Sequence, residues 1–168
     1  MAKIANVVII NNQKTVKVPK GLRLIVRKCC KAILETESFP GLAEIGVTFT
    51  DTNGIQELNR QYQLAEPSDE VVFFPTGENG EYVSKASNGA KILGDVVISL
   101  EKAEKTCHMH GVTLEREVGY LTAHGVFGLL GYCPMSSKPL ERMALRDKVE
   151  DIMDLLGLPA SPGYAATR

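Results

Sequence analysis

No apolar run in the 168 residues approaches the roughly 18 needed to span a bilayer, so no membrane-crossing helix is expected. The opening MAKIANVVIINN lacks the basic start, long apolar segment and small-residue cleavage site of an export signal, and a cytoplasmic setting is the expectation. Glycine and proline, at 15 and 8 residues, are too sparse for a collagen-like or disordered chain. A Cys-x-x-Cys clip is missing: Cys29 and Cys30 are adjacent, while Cys107 and Cys133 stand apart. That spacing argues against a disulfide framework and for reduced thiols, most of them small buried hydrophobes. Acidic residues are absent from the first 34 positions, which carry Lys3, Lys14, Lys17, Lys20, Arg23, Arg27, Lys28 and Lys31. The segment is therefore strongly basic and the remainder acidic, although the whole chain is only −1. Such asymmetry points to an anionic partner, nucleic acid being the commonest, or else to a solvated helix face opposite the core.

With hydrophobic residues at 44% and charged residues at 23%, the composition is that of a globular protein. The length suits one domain, expected over residues 1–158, with a flexible tail over 159–168. A domain of this size buries roughly 70% of its unfolded surface, enough to fold without disulfide or metal staples.

β-Branched residues 4–10 predict a first strand, and 14–18 an irregular extension of it. Leu22, Ile25, Val26, Cys29, Ile33 and Leu34 recur at helical spacing over 21–35, leaving the basic residues on the other face. Ile45, Val47 and Phe49 alternate with Gly46, Thr48 and Thr50 as a half-buried strand, and Asp51 caps a helix to about Tyr62. Further strands are expected over 70–74 and 93–98, separated by a long loop from Thr76 to Lys91. Helices follow over 99–110, 114–130 and, from Pro139 in its first turn, to about Leu156. Strands and helices mix without regular alternation, so the predicted class is α+β: a small mixed sheet of about four strands covered by helices.

The helix over 114–130 contains Gly119, Gly125 and Gly128. Each glycine costs about 1 kcal/mol of helix propensity relative to alanine, so tertiary packing must hold this helix, which is expected to be central. Glu117, Leu121, His124 and Gly128 fall on or near one stripe of it, placing a carboxylate and an imidazole along one face. His124 and Glu117 are accordingly candidate catalytic residues, although a single histidine in an apolar helix is also a common hydrogen-bonded core residue. On the basic face of the first helix, Arg23, Arg27 and Lys31 are candidate nucleic-acid-binding residues.

The run Gly94-Asp95-Val96-Val97-Ile98-Ser99-Leu100, then Leu114 through His124, then Leu129-Leu130-Gly131-Tyr132 resembles the YbeY family of bacterial rRNA-maturation endoribonucleases. The resemblance extends upstream through Leu58-Asn59-Arg60-Gln61-Tyr62 and Pro67-Ser68-Asp69, covering about residues 4–158. It implies a small mixed sheet with helices, cleavage of single-stranded RNA, and roles in small-subunit rRNA end maturation and ribosome quality control. RNA or the small ribosomal subunit is the partner it implies.

The resemblance also implies one zinc, held by a pattern H-x-x-x-H-x-x-x-x-x-H that leaves an open position for an ionisable water. His124 matches the first ligand, but the second position is Gly128 and the third Pro134, neither of which can bind metal. At roughly 3 to 4 kcal/mol per ligand, two losses remove a factor on the order of 10⁴ to 10⁶ in affinity, so zinc retention is not expected. Cys133 with His108 or His110 is a conceivable replacement ligand set. Gln63 stands where the family has arginine after the tyrosine of its L-N-x-x-Y motif. The family's T-D-V-L-S-F-P appears as Ser68 through Pro75, one residue longer and without the serine near its end. The aspartate before the third histidine is Cys133, and a histidine usually found after the glycine at 111 is Val112.

Three readings follow. One is an endoribonuclease that still acts weakly on rRNA, using what remains around His124 and Glu117; another is a non-catalytic RNA- or ribosome-binding protein on the same scaffold; the third pairs Cys133 with His124 as thiol and imidazole. The double change Gly128→His and Pro134→His is expected to restore three imidazoles if the turn keeps its family shape, with cleavage also needing Gln63→Arg.

Overall fold

Alternating apolar residues build the first two strands, β1 (Ala5–Asn11) and β2 (Ala43–Thr50), which pair in parallel with Val7 opposite Ile45 and Ile9 opposite Val47. The computed structural model describes residues 3–64, 67–77, 81–85, 87–134, 136–158 and 160. Strand β3 (Val71–Pro75), the two-residue β4 (Val83–Ser84) and β5 (Lys91–Ser99) complete a five-stranded sheet of order β1-β2-β5-β3. β2 and β5 are parallel, β3 runs antiparallel to β5, and β4 pairs with the start of β5 off the main path. The fold is α+β with a mixed sheet, as the sequence predicts. β4 lies inside the segment expected to be a loop, being too short to leave an alternating pattern. Residues 14–18 do not extend β1: Gln13 accepts from the Val16 amide and donates to the Val16 carbonyl, both at 2.8 Å, closing a turn that buries Val16.

Parallel neighbours need crossover connections. Helix α1 (Leu22–Thr36) carries the chain from β1 to β2, burying Leu22, Val26, Cys29, Cys30, Ile33 and Leu34 against the sheet and its neighbours. Helix α2 (Thr52–Gln61), capped by Asp51 accepting from the Gly54 amide, follows β2. It buries Ile55 on the opposite side of the sheet with Val72 and Val97. Ser99 caps α3 (Leu100–His110), which Gly111 ends in the left-handed region that glycine adopts without strain.

Helix α4 (Leu114–Leu129) is buried along nearly its whole length and packs on α1, α3, β3, β5 and α5 (Pro139–Leu155). It is the central helix that its glycine content requires. Arg116, 3% exposed, ties α4 to α5: its guanidinium donates to both carboxylate oxygens of Glu150, at 2.7 and 2.8 Å, and to the Leu158 carbonyl at 2.8 Å. Among the described residues no helix is long and apolar enough to cross a membrane. The tail expected to be flexible lies, apart from Ala160, outside the described residues.

Candidate functional site

Two glycines set how closely α4 approaches the sheet. A Cβ at Gly125 would stand 2.4 Å from a methyl of Val96 on β5, and one at Gly128 would stand 2.5 Å from Cε2 and Cζ of Phe73 on β3. Alanine at either position therefore forces a neighbour to move, which explains glycine in a helix interior. Seated this way, α4 brings the half-buried His124 to a groove of about 830 Å³. Its walls are β3 from Val71 to Phe73, the segment Pro67–Glu70, Asn59 and Leu64 at the end of α2, and the turn Tyr132–Pro134.

The segment before β3 is held by side chains. Asn59 donates to the Ser68 carbonyl at 2.7 Å and to the Ile55 carbonyl at 3.1 Å, and accepts from the Ser68 amide at 3.3 Å. The Ser68 hydroxyl accepts from the amides of Glu70 and Val71. These bonds fix Glu70 beside the groove, where its carboxylate also accepts from the Thr106 hydroxyl at 3.4 Å. Asp69 forms an ion pair with Lys102 at 3.2 Å. Glu70 and His124 line both this groove and a neighbouring cavity of about 370 Å³ reached by His110, Lys102 and Thr106.

The predicted site residues separate. His124 is at the groove, whereas Glu117 is fully buried on α4 and does not line it. Glu117 instead faces Cys107, whose thiol is pushed up by burial first and by the Glu117 charge second. Asp69 and Glu70 are the carboxylates that line the groove with His124, and Glu70 alone of the two also meets His124 at the neighbouring cavity; sequence reasoning missed Glu70 because its position reads as the first residue of a strand. Arg23, Arg27 and Lys31 are exposed on α1 and line none of the groove, and Lys31 makes an exposed contact of 3.8 Å to Glu35. Cys133 is exposed and does line it with His124. His108 is exposed at the end of α3, while His110 meets His124 only at the neighbouring cavity. Gln63 is exposed at a backbone φ of 47° and is not part of the groove wall.

The residues present do not fit the zinc site that the resemblance implies. Gly128 and Pro134 offer no donor, and the described residues bring together no group of three or more His, Cys, Asp or Glu able to hold an ion. The space a side chain at Gly128 would enter is taken by the Phe73 ring. Counting back from Pro75, the serine of the T-D-V-L-S-F-P pattern that the resemblance implies falls at Phe73, and the second histidine it implies falls at Gly128, so the two departures meet in one contact. The double change Gly128→His and Pro134→His is therefore opposed by a contact that the spacing of histidines alone does not reveal.

Comparison with known proteins gives a match to the family model described as Endoribonuclease YbeY over residues 8–157. A protein named Endoribonuclease YbeY from Desulforamulus reducens is 37% identical over 152 residues, covering 90% of this chain and 97% of its own. One of the same name from Caldanaerobacter subterraneus is 38% identical over 156 residues, covering 90% and 98%. The solution structure of TM1509 from Thermotoga maritima superposes with a TM-score of 0.55 at 18% identity, covering 90% of this chain and 91% of that one, a likeness of fold.

Proposed function

The chain belongs to the YbeY endoribonuclease family, and from that premise we propose that it engages single-stranded RNA of the small ribosomal subunit with strand cleavage reduced or lost. Its setting would be rRNA end processing and ribosome quality control, the work the family resemblance implies. The observation that carries the reading is Phe73 packed into the space beside Gly128. An aromatic ring stands where the second metal-binding side chain would project, so no hydrolytic step is routed through a metal here. The groove keeps the means to meet a strand: the His124 imidazole, the apolar faces of Phe73, Leu64 and Pro134, and the Glu70 carboxylate held in place by the Asn59 and Ser68 bonds. Glu70, rather than the buried Glu117, is the carboxylate placed to share any residual proton transfer with His124.

Phosphate contacts in this reading come from the acid-free segment, with Arg23, Arg27 and Lys31 spaced four residues apart along the exposed face of α1. The test is one end-labelled single-stranded RNA carrying a small-subunit rRNA 3′ end, followed for binding and for cleavage in the same samples, with and without added zinc. Binding with cleavage at or near background is expected. Vigorous zinc-dependent cleavage contradicts the loss of activity, and no binding at low salt contradicts the RNA partner.

A further inference from the structure

We infer that a second cavity, beside the turn that follows α4, holds one base of the RNA strand whose neighbouring part lies in the groove at His124. This rests on the RNA reading above and goes beyond it by naming a subsite and the residues that build it. The cavity measures about 380 Å³, which suits a single base better than a run of strand. Its walls are the rings of Phe39, Tyr82 and Tyr132 together with Pro40.

The convergence is not a matter of composition. The chain holds five phenylalanines, five tyrosines and no tryptophan, yet three of those rings, from three distant parts of the sequence, meet at one opening. Phe39 follows α1, Tyr82 precedes β4 and Tyr132 follows α4, with the Phe39 and Tyr82 centroids 6.2 Å apart. Two of the three are held in orientation. The Tyr82 hydroxyl donates to the Leu129 carbonyl at 2.7 Å. Tyr132 donates to Oε1 of Glu37, packs edge-on against Phe127 at 5.3 Å, and lies under the Lys148 ammonium at 5.4 Å. Rings already fixed lose little freedom when a base stacks on them.

Charge agrees with a polyanionic ligand. Lys148 donates to the other Glu37 oxygen at 3.3 Å, so Glu37, the one carboxylate among the described residues of the cavity wall, has both oxygens engaged, and Lys91 adds a cation on the same wall. Tyr132 lines this cavity and the groove alike, so a strand crossing that ring reaches from one to the other.

The test uses the full chain and a labelled single-stranded hexaribonucleotide, scanned with one abasic position at a time. One position should lose about tenfold in affinity when its base is removed, the size expected of one base–aromatic stack. Tyr82→Leu and Phe39→Leu should each weaken the intact strand by about the same factor and abolish the sensitivity to that abasic position. Lys91→Gln should lower the slope of affinity against salt by about one contact. Because the leucine variants remove packing, ring-proton resonances of Phe39 and Tyr82 in the unaltered chain give a second readout, and both sets should shift on adding RNA. Binding with unmoved ring resonances and a flat abasic scan overturns the subsite while leaving the RNA reading intact. Failure of the unaltered chain to bind any strand overturns both.

Discussion

The Phe73 ring and the backbone of Gly128 are complementary: a Cβ at 128 would lie 2.5 Å from two ring carbons, inside any permitted contact. Alanine raises helix propensity by about 1 kcal/mol over glycine, so the sign of Gly128→Ala reports on the contact. With Phe73 in place the change should destabilise by about 1 to 3 kcal/mol through overpacking. In a Phe73→Ser background it should be neutral or stabilising. Urea denaturation of the four proteins closes the cycle, and equal effects in both backgrounds would mean that the two residues do not touch.

Binding through α1 predicts a steep salt dependence. Each phosphate contact releases condensed counterions, so affinity for single-stranded RNA should fall linearly on logarithmic axes with a slope of about −0.7 per contact. Replacing Arg23, Arg27 and Lys31 together by Glu should weaken binding and flatten that slope with only a small fall in melting temperature, since all three side chains are exposed and the favourable i,i+4 contact of Lys31 with Glu35 is exchanged for a like-charge one. Unchanged affinity would leave them as a solvated helix face.

The thiols should divide by exposure. Cys133 is exposed, whereas Cys29 and Cys30 are fully buried and Cys107 nearly so. Burial pushes the Cys30 thiol up to about 12 and Cys29 well above its ordinary value, so neither forms a thiolate near neutral pH. Iodoacetamide at pH 8 should modify Cys133 quickly and the other three only after denaturation, as peptide mass mapping would show. Rapid native labelling of Cys29 or Cys30 would contradict the burial of the inner face of α1.

Acid should act through Glu44. Its carboxylate accepts from Lys85 and from Asn6, each at 2.9 Å, and these bonds, the Lys85 one foremost, hold it below the ordinary glutamate range against the opposing effect of burial. A folded-state value below the unfolded one contributes stability that is present above about pH 4.3 and is lost as pH falls through the depressed value. Glu44→Gln should therefore be less stable than the unaltered protein at pH 7, by roughly 0.5 to 1 kcal/mol for a partly exposed pair. The difference should vanish in acid. A gap that persists to pH 2 would assign the effect to packing instead.

The long periodic elements were legible because burial imposes a period on them: α1, β2 and α5 follow their apolar residues closely. The three glycines of α4 correctly demanded a central position, since nothing local could stabilise such a helix. What stayed hidden depends on contacts between distant residues. Glu117 and His124 share a helix stripe, but the stripe is wide enough to send one into the core and the other to the groove. Glu70 reaches the groove only because Asn59 and Ser68 hold its segment, a bond pattern with no local sequence signature. That Gly128 and Pro134 stand where the resemblance implies histidines was plain in the sequence, whereas the Phe73 ring lying against Gly128 required β3 and α4 to be seen together. The same holds for Phe39, Tyr82 and Tyr132, unremarkable singly and adjacent only in the fold.

The most direct measurement is the zinc content of the unaltered protein, purified, equilibrated with micromolar zinc, exchanged into metal-free buffer and analysed by elemental mass spectrometry. A single family ligand at His124, with Phe73 filling the space beside Gly128, predicts far less than one zinc per chain. Stoichiometric zinc that survives both exchange and a Cys133→Ser change would contradict the account.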